Sequence, residues 1–192
     1  MVLPVFAYGQ AILRKVCSDI DASYPELPKL LEDMWETMYH TNGVGLAAPQ
    51  IGKPIRVFIV DTEQIVENFD DEDKEDFPNE KPIKQVFINA EKIEETGEPW
   101  AYCEGCLSIP KVREDVNRPE HVRLRWFNEN FEPQEGSFDG VTARVILHEY
   151  DHIDGKLFID YLPPLKKRLL KKKLDDISSG RVKVDYRMVF PR

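Results

Sequence analysis

The chain has 192 residues, enough for one well-buried core and in keeping with a single domain spanning 1–192. A formal net charge of −9 argues against general nucleic-acid affinity; no stretch approaches membrane-spanning length, and no basic region followed by an apolar run opens the chain. Three cysteines, an odd number, suit a reducing cytoplasm better than a disulfide framework.

Leu30, Leu31, Met34, Trp35 and Met38 recur at helical spacing and predict a helix near 25–40. Next comes Gly43-x-Gly45-x-x-Ala48, which fits a dinucleotide fingerprint, with Asp61 at about the ribose-binding offset. Its context fails, because a helix rather than a strand precedes it and Pro49, Gly52 and Pro54 break the segment where a crossover helix would have to start. Short β-type runs are expected at 55–61, 85–89, 98–103 and 121–127. Between the first two lies an acidic insertion, 63–81, where Asp70, Asp71, Glu72, Asp73 and Glu75 face only Lys74; it reads as a solvated loop. It is no calcium loop, because Asp76 stands where such a loop needs glycine and Pro82 where it needs the bidentate glutamate.

Val141, Val145, His148 and His152 fall at i, i+4, i+7 and i+11, so 139–154 reads as an amphipathic helix that Asp139 caps and Gly155 ends. Within it His148-Glu149-Tyr150-Asp151-His152 sets two imidazoles on one side with a carboxylate beside them, a pattern that metal-dependent hydrolases use. A catalytic site of this kind takes about three protein ligands and keeps an open position. An extended zinc peptidase would place its third histidine at Phe158, and another peptidase class needs a later glutamate, yet no glutamate comes after Glu149. His40 and His121 have no ligand-like neighbours and read as residues at a helix end and beside a strand. A cysteine is the soft ligand left to consider, from Cys17, Cys103 and Cys106. Cys106 stands out in Glu104-Gly105-Cys106-Leu107-Ser108, where neighbouring backbone amides can face a bound oxygen. Cys103-x-x-Cys106 lacks both a second pair and a thioredoxin-like context, so Cys103 reads as a half-buried bystander.

Near the end, 164–178 predicts a helix with Leu169, Leu170, Leu174 and Ile177 on one side and Lys167, Arg168, Lys171 and Lys172 on the other. After Gly180, residues 182–189 alternate like a strand, read as an extra edge strand or a dimer contact. Strands followed by helices imply an α+β class.

Three motifs in order, Gly43-Val44-Gly45-Leu46-Ala47-Ala48-Pro49-Gln50, Glu104-Gly105-Cys106-Leu107-Ser108 and His148-Glu149-Tyr150-Asp151-His152, make the chain resemble the peptide deformylase family. The likeness extends through Arg113, Arg118 and 155–162 and excepts 63–81 and the last dozen residues. It implies a fold of antiparallel sheets around a central metal-binding helix. It also implies hydrolysis of the N-formyl group from the formyl-methionine of new polypeptides in the cytoplasm. The metal would sit on Cys106, His148 and His152, with Glu149 moving protons. Gln50 and the backbone N–H of Leu107 would meet the developing oxyanion. Gly45, lacking a side chain, would let the substrate backbone pass closely, Val44 and Val145 would line the methionine pocket, and Arg113 would meet the peptide beyond it. Ligand softness suggests zinc, whereas the resemblance implies Fe2+, replaceable by Ni2+ or Zn2+. It further implies a ribosome contact through the basic helix. Leu147 and Asn42 depart from the family pattern, the latter placing a salt bridge to Arg118 in question. A zinc peptidase, separable by a casein assay, and a noncatalytic peptide-binding member of the fold are the rival readings.

Overall fold

A computed structural model describes residues 1–191; Arg192, the last residue of the expected domain, lies outside the described residues. The strands are β1 (Val5–Phe6), β2 (Gly45–Ala47), β3 (Val57–Asp61), β4 (Lys84–Thr96), β5 (Trp100–Cys106), β6 (Ile109–Arg118), β7 (His121–Phe127), β8 (Pro133–Asp139) and β9 (Met188–Val189). The α-helices are α1 (Leu27–His40), α2 (Glu63–Val66), α3 (Asp71–Asp76), α4 (Gly140–Ile153) and α5 (Pro164–Ser178). The class is α+β. An antiparallel sheet runs in the order β2-β3-β4-β7-β8, and β5 and β6 form a separate antiparallel hairpin.

Alternation along the strands sorts the core onto two faces. Leu46, Val57, Ile59, Val86 and Ile88 pack with Leu31, Met34 and Met38 of α1. Their neighbours Ala47, Phe58, Val60 and Phe87 turn the other way and pack with Ala143, Ile146, Leu147 and Tyr150 of α4. Covered on both faces, β3 is buried at all five positions.

α4 therefore lies between the sheet and the hairpin, and every residue from Val141 to Ile153 is buried. The expected amphipathic helix is in fact enclosed all round, and its polar residues are accommodated by pairing. Asp139 occupies the cap position but makes no capping bond; its carboxylate is on His121 Nδ1 at 2.5 Å. Glu80 takes over, accepting from the N–H groups of Val141 (3.0 Å) and Thr142 (2.7 Å). At the other end Gly155 has φ +71°, and the Lys156 N–H bonds the Asp151 carbonyl at 2.8 Å, closing the helix with a left-handed turn.

Several expectations change. The acidic insertion carries α2 and α3, the latter capped reciprocally by Asp70 and Asp73 at 2.9 and 3.2 Å, in place of a plain loop. On α5, Leu170, Leu174 and Ile177 are buried, but Leu169 is 73% exposed because it sits about 100° round from Leu170. The tail is not an edge strand of the main sheet: only Met188 and Val189 join a ladder, and they pair in parallel with Val5 and Phe6. Cys103 is exposed rather than half-buried. Among the described residues no helix is long and apolar enough to cross a membrane.

Candidate metal centre and substrate cleft

His148 and His152 are one turn apart on α4, and the hairpin brings Cys106 to them. A register shift between Gly105 and Cys106 bends the end of β5, the usual way in which a bulge re-aims a side chain. One ligand atom from each of the three residues lies within 4.8 Å of the others, with Cys106 Sγ 3.2 Å from His152 Nε2. A thiolate with two imidazoles is a donor set suited to a divalent transition metal. Burial above all holds the His152 imidazole well below its ordinary pKa, keeping it in the neutral form that ligates.

A buried ionic network fixes this geometry. Glu104 Oε2 meets His148 Nδ1 at 2.9 Å, which leaves Nε2 as the ring nitrogen free for a ligand role. The same carboxylate receives Arg118 Nε and Nη2 at 2.6 and 3.0 Å, and Arg144 Nη1 at 3.2 Å. Arg118 Nη1 reaches Asp151 at 2.7 Å, and Tyr161 donates its hydroxyl to the other Asp151 oxygen at 3.0 Å. Burial opposes the charged form of Glu104, but the bonds from His148 and Arg118 outweigh it and hold the carboxyl well below the usual range. Asn42 thus costs Arg118 nothing, because its salt bridges run to Glu104 and Asp151. Leu147 sits in the apolar core with no polar partner needed.

Glu149 is buried beside the histidines, and its Oε2 has no hydrogen-bond partner among the described residues. Burial pushes its carboxyl up to about 7, against the lowering influence of His148 and Arg118. A Cβ at Gly45 would stand 2.5 Å from Glu149 Oε1 and 2.7 Å from its Cγ. The missing side chain at Gly45 therefore makes room for this carboxylate, a reason that the motif alone does not disclose. Gln50 is oriented from behind: its Oε1 accepts the Ala47 N–H at 2.8 Å, which turns its amide nitrogen toward Cys106 Sγ (3.5 Å) and Ser108 Oγ (3.4 Å).

These groups open on a cleft of about 820 Å3 that Val44, Gly45, Gln50, Leu107, Arg113, Val145 and Glu149 all line. Arg113 is held at the rim by a bond to the Cys103 carbonyl at 3.2 Å. Sequence reasoning assigned no role to Glu104, Asp151 or Tyr161, nor did it place Ile65 of α2 or Tyr186 of the tail on the cleft wall, where both lie. For Glu104 a signal existed: it stands inside the cysteine motif, two residues before Cys106.

A buried carboxylate beside a three-ligand cluster, opening on a cleft within an α+β fold, defines the hydrolase type that the sequence motifs suggested. A family model described as Polypeptide deformylase matches residues 2–168. The peptide deformylase of Christiangramia forsetii is 50% identical over 194 residues, covering 100% of this chain and 97% of its own length. A crystal structure of a peptide deformylase from Legionella pneumophila superposes with a TM-score of 0.79 at 32% identity, covering 96% of this chain and 99% of that one. A Met-Ala-Ser-bound class I type b peptide deformylase from Acinetobacter baumannii has a TM-score of 0.73 at 33% identity, covering 84% and 99%. The chain belongs to the peptide deformylase family, hydrolases that act on the formyl-amide of an N-terminal methionine.

Proposed function

We propose that this chain acts as one catalytic domain in the cytoplasm and removes the formyl group from the formyl-methionine of newly made proteins by metal-dependent hydrolysis. The observation that carries the reading is the convergence of Cys106, His148 and His152 on one point beside a buried, partnerless Glu149. Cys106, His148 and His152 would hold a divalent ion, Fe2+ by family likeness, with Zn2+ or Ni2+ also suited to the donors. Such an ion supplies Lewis acidity that makes water nucleophilic near neutral pH.

The protein's own groups do the rest. Glu149, with a carboxyl near pKa 7, takes the proton from the attacking water and returns it to the departing amine. The formyl oxygen gains negative charge as its carbon becomes tetrahedral. Gln50 Nε2, locked by the bond from Ala47, and the backbone N–H of Leu107 donate to it. Val44 and Val145 line the methionine side-chain site beside Gly45, and Arg113 at the rim meets the next residues of the peptide. The Met-Ala-Ser bound to the Acinetobacter baumannii relative has the composition of a reaction product, which supports a cleft of this size taking a short N-terminal segment. Anaerobically purified, iron-loaded protein should release formate from formyl-Met-Ala-Ser and leave acetyl-Met-Ala-Ser and casein intact. No formate, or cleavage of casein, would overturn the reading.

The basic face of α5 extends the proposal to the ribosome. Lys167, Arg168, Lys171 and Lys172 are exposed together on a protein of net charge −9. Phosphate contacts through such a patch weaken as salt rises. Reversing these four charges should lower cosedimentation with ribosomes roughly tenfold or more at low salt, and turnover of free formyl-peptide should not change. Undiminished cosedimentation would leave the patch as solvated surface.

A further inference from the structure

Beyond α5 the chain turns at Gly180 and runs back as an extended segment that the family match, ending at residue 168, does not include. Its burial alternates: Val182, Val184, Tyr186, Met188 and Phe190 are half-buried, whereas Arg181, Lys183, Asp185 and Arg187 are exposed. Val182, Met188 and Phe190 pack on the cluster built by Ile109, Leu170 and Leu174, and β9 is bonded to β1. Between these two anchors Val184 and Tyr186 face the substrate cleft. The Tyr186 hydroxyl donates to the carbonyl oxygen of Leu107 at 2.8 Å. Leu107 is in the two-residue turn joining β5 to β6, directly after Cys106. The next carbonyl in that turn, of Ser108, accepts the Tyr8 N–H at 2.8 Å, so the turn is braced from two distant parts of the chain.

We propose that Tyr186 is a positioning residue for deformylation: by holding the Leu107 carbonyl, its hydroxyl sets the tilt of the turn that presents the Leu107 N–H to the formyl oxygen. This role rests on the deformylase activity proposed for the cleft. An oxyanion donor works only if it is aimed in advance at the place where charge develops, and a turn supported on one side alone would have to be reorganised during the reaction. The geometry suits such a brace, because the tail is pinned on both sides of Tyr186, by packing on the cluster of Ile109, Leu170 and Leu174 and by ladder bonds to β1.

Tyr186→Phe keeps the ring on the cleft wall and removes only the donor. Its kcat on formyl-Met-Ala-Ser should fall about tenfold, less than the 10²–10³ lost when an oxyanion donor itself is deleted. KM and metal content per chain should match those of the parent protein, because substrate binding and the ligand cluster are untouched. A purely structural tyrosine would lower the midpoint and leave kcat per metal-loaded molecule unchanged. An unchanged kcat, a fall accounted for by metal loss, or a rise in KM alone would each overturn the assignment. Failure of the parent protein to release formate would instead overturn the deformylase reading.

Discussion

Glu149→Ala is expected to retain its metal and lose more than about a hundredfold in kcat, the scale of a missing general base. Glu149 is not one of the three residues whose donor atoms cluster within 4.8 Å, so its removal leaves the ligand set complete. Its position suits the proton carrier proposed above: nearly buried on the cleft wall, one carboxylate oxygen unpartnered among the described residues, and the carboxyl raised by burial to about 7, where it can both accept and release a proton at neutral pH. Glu149→Gln, which keeps the shape and fills the space beside Gly45, should lose as much as the alanine variant, because shape is not what the reaction uses. Metal analysis alongside steady-state kinetics checks both. An ion lost from the variants would make Glu149 a ligand, and undiminished turnover would remove it from the mechanism.

Cys106→Ser should lower metal affinity beyond the roughly 10–100-fold typical of losing a ligand's outer partner, whereas Cys103→Ser and Cys17→Ser should bind metal as the parent does. The structure separates the three thiols by place. Cys106 Sγ is 3.2 Å from His152 Nε2; Cys103 is exposed on β5; and Cys17 is in the apolar cluster under α4, where burial pushes its thiol up to about 11. Competition with a chromophoric chelator at fixed pH would measure all three. Equal metal loss from the Cys103 variant would restore the pair Cys103 and Cys106 as the binding unit.

Much of the cluster was legible because each part of it sits in a short, recognisable motif. Two histidines four apart declare a shared helix face, and Cys106 and Gln50 sit in short motifs. The network that holds them was not legible, because Glu104, Arg118 and Asp151 belong to three elements and meet only after the hairpin closes on α4. Strands β3, β5, β7 and the first part of β4 and all three long helices could be read from periodicity, but β1, β2, β6 and β8 could not. β6 carries Lys111, Arg113, Glu114 and Asp115 among its apolar residues, and β8 opens with Pro133 and contains Gly136, as an edge strand can. Gly136 is explained only by the fold, since a Cβ there would press within 3.2 Å of the Trp126 ring. The alternation of 182–189 was real and appears as alternating burial. Which strand it would pair with was not written in it, because ladder partners are set by the rest of the chain.

The buried pairing of Arg118 with Glu104 and Asp151 also bears on how such a protein drifts over generations. Arg118 is shared by Glu104 and Asp151, so its neutral replacement would leave two carboxylates short of their partner in a place without water, at a cost of about 3–5 kcal/mol, a large part of a domain's whole stability. A change at Arg118 is therefore tied to changes at the carboxylates it serves. The exposed tail residues Lys183 and Asp185, on the wall of the same cleft, carry no such buried pairing, so substitution there can alter the rim while the centre stays fixed.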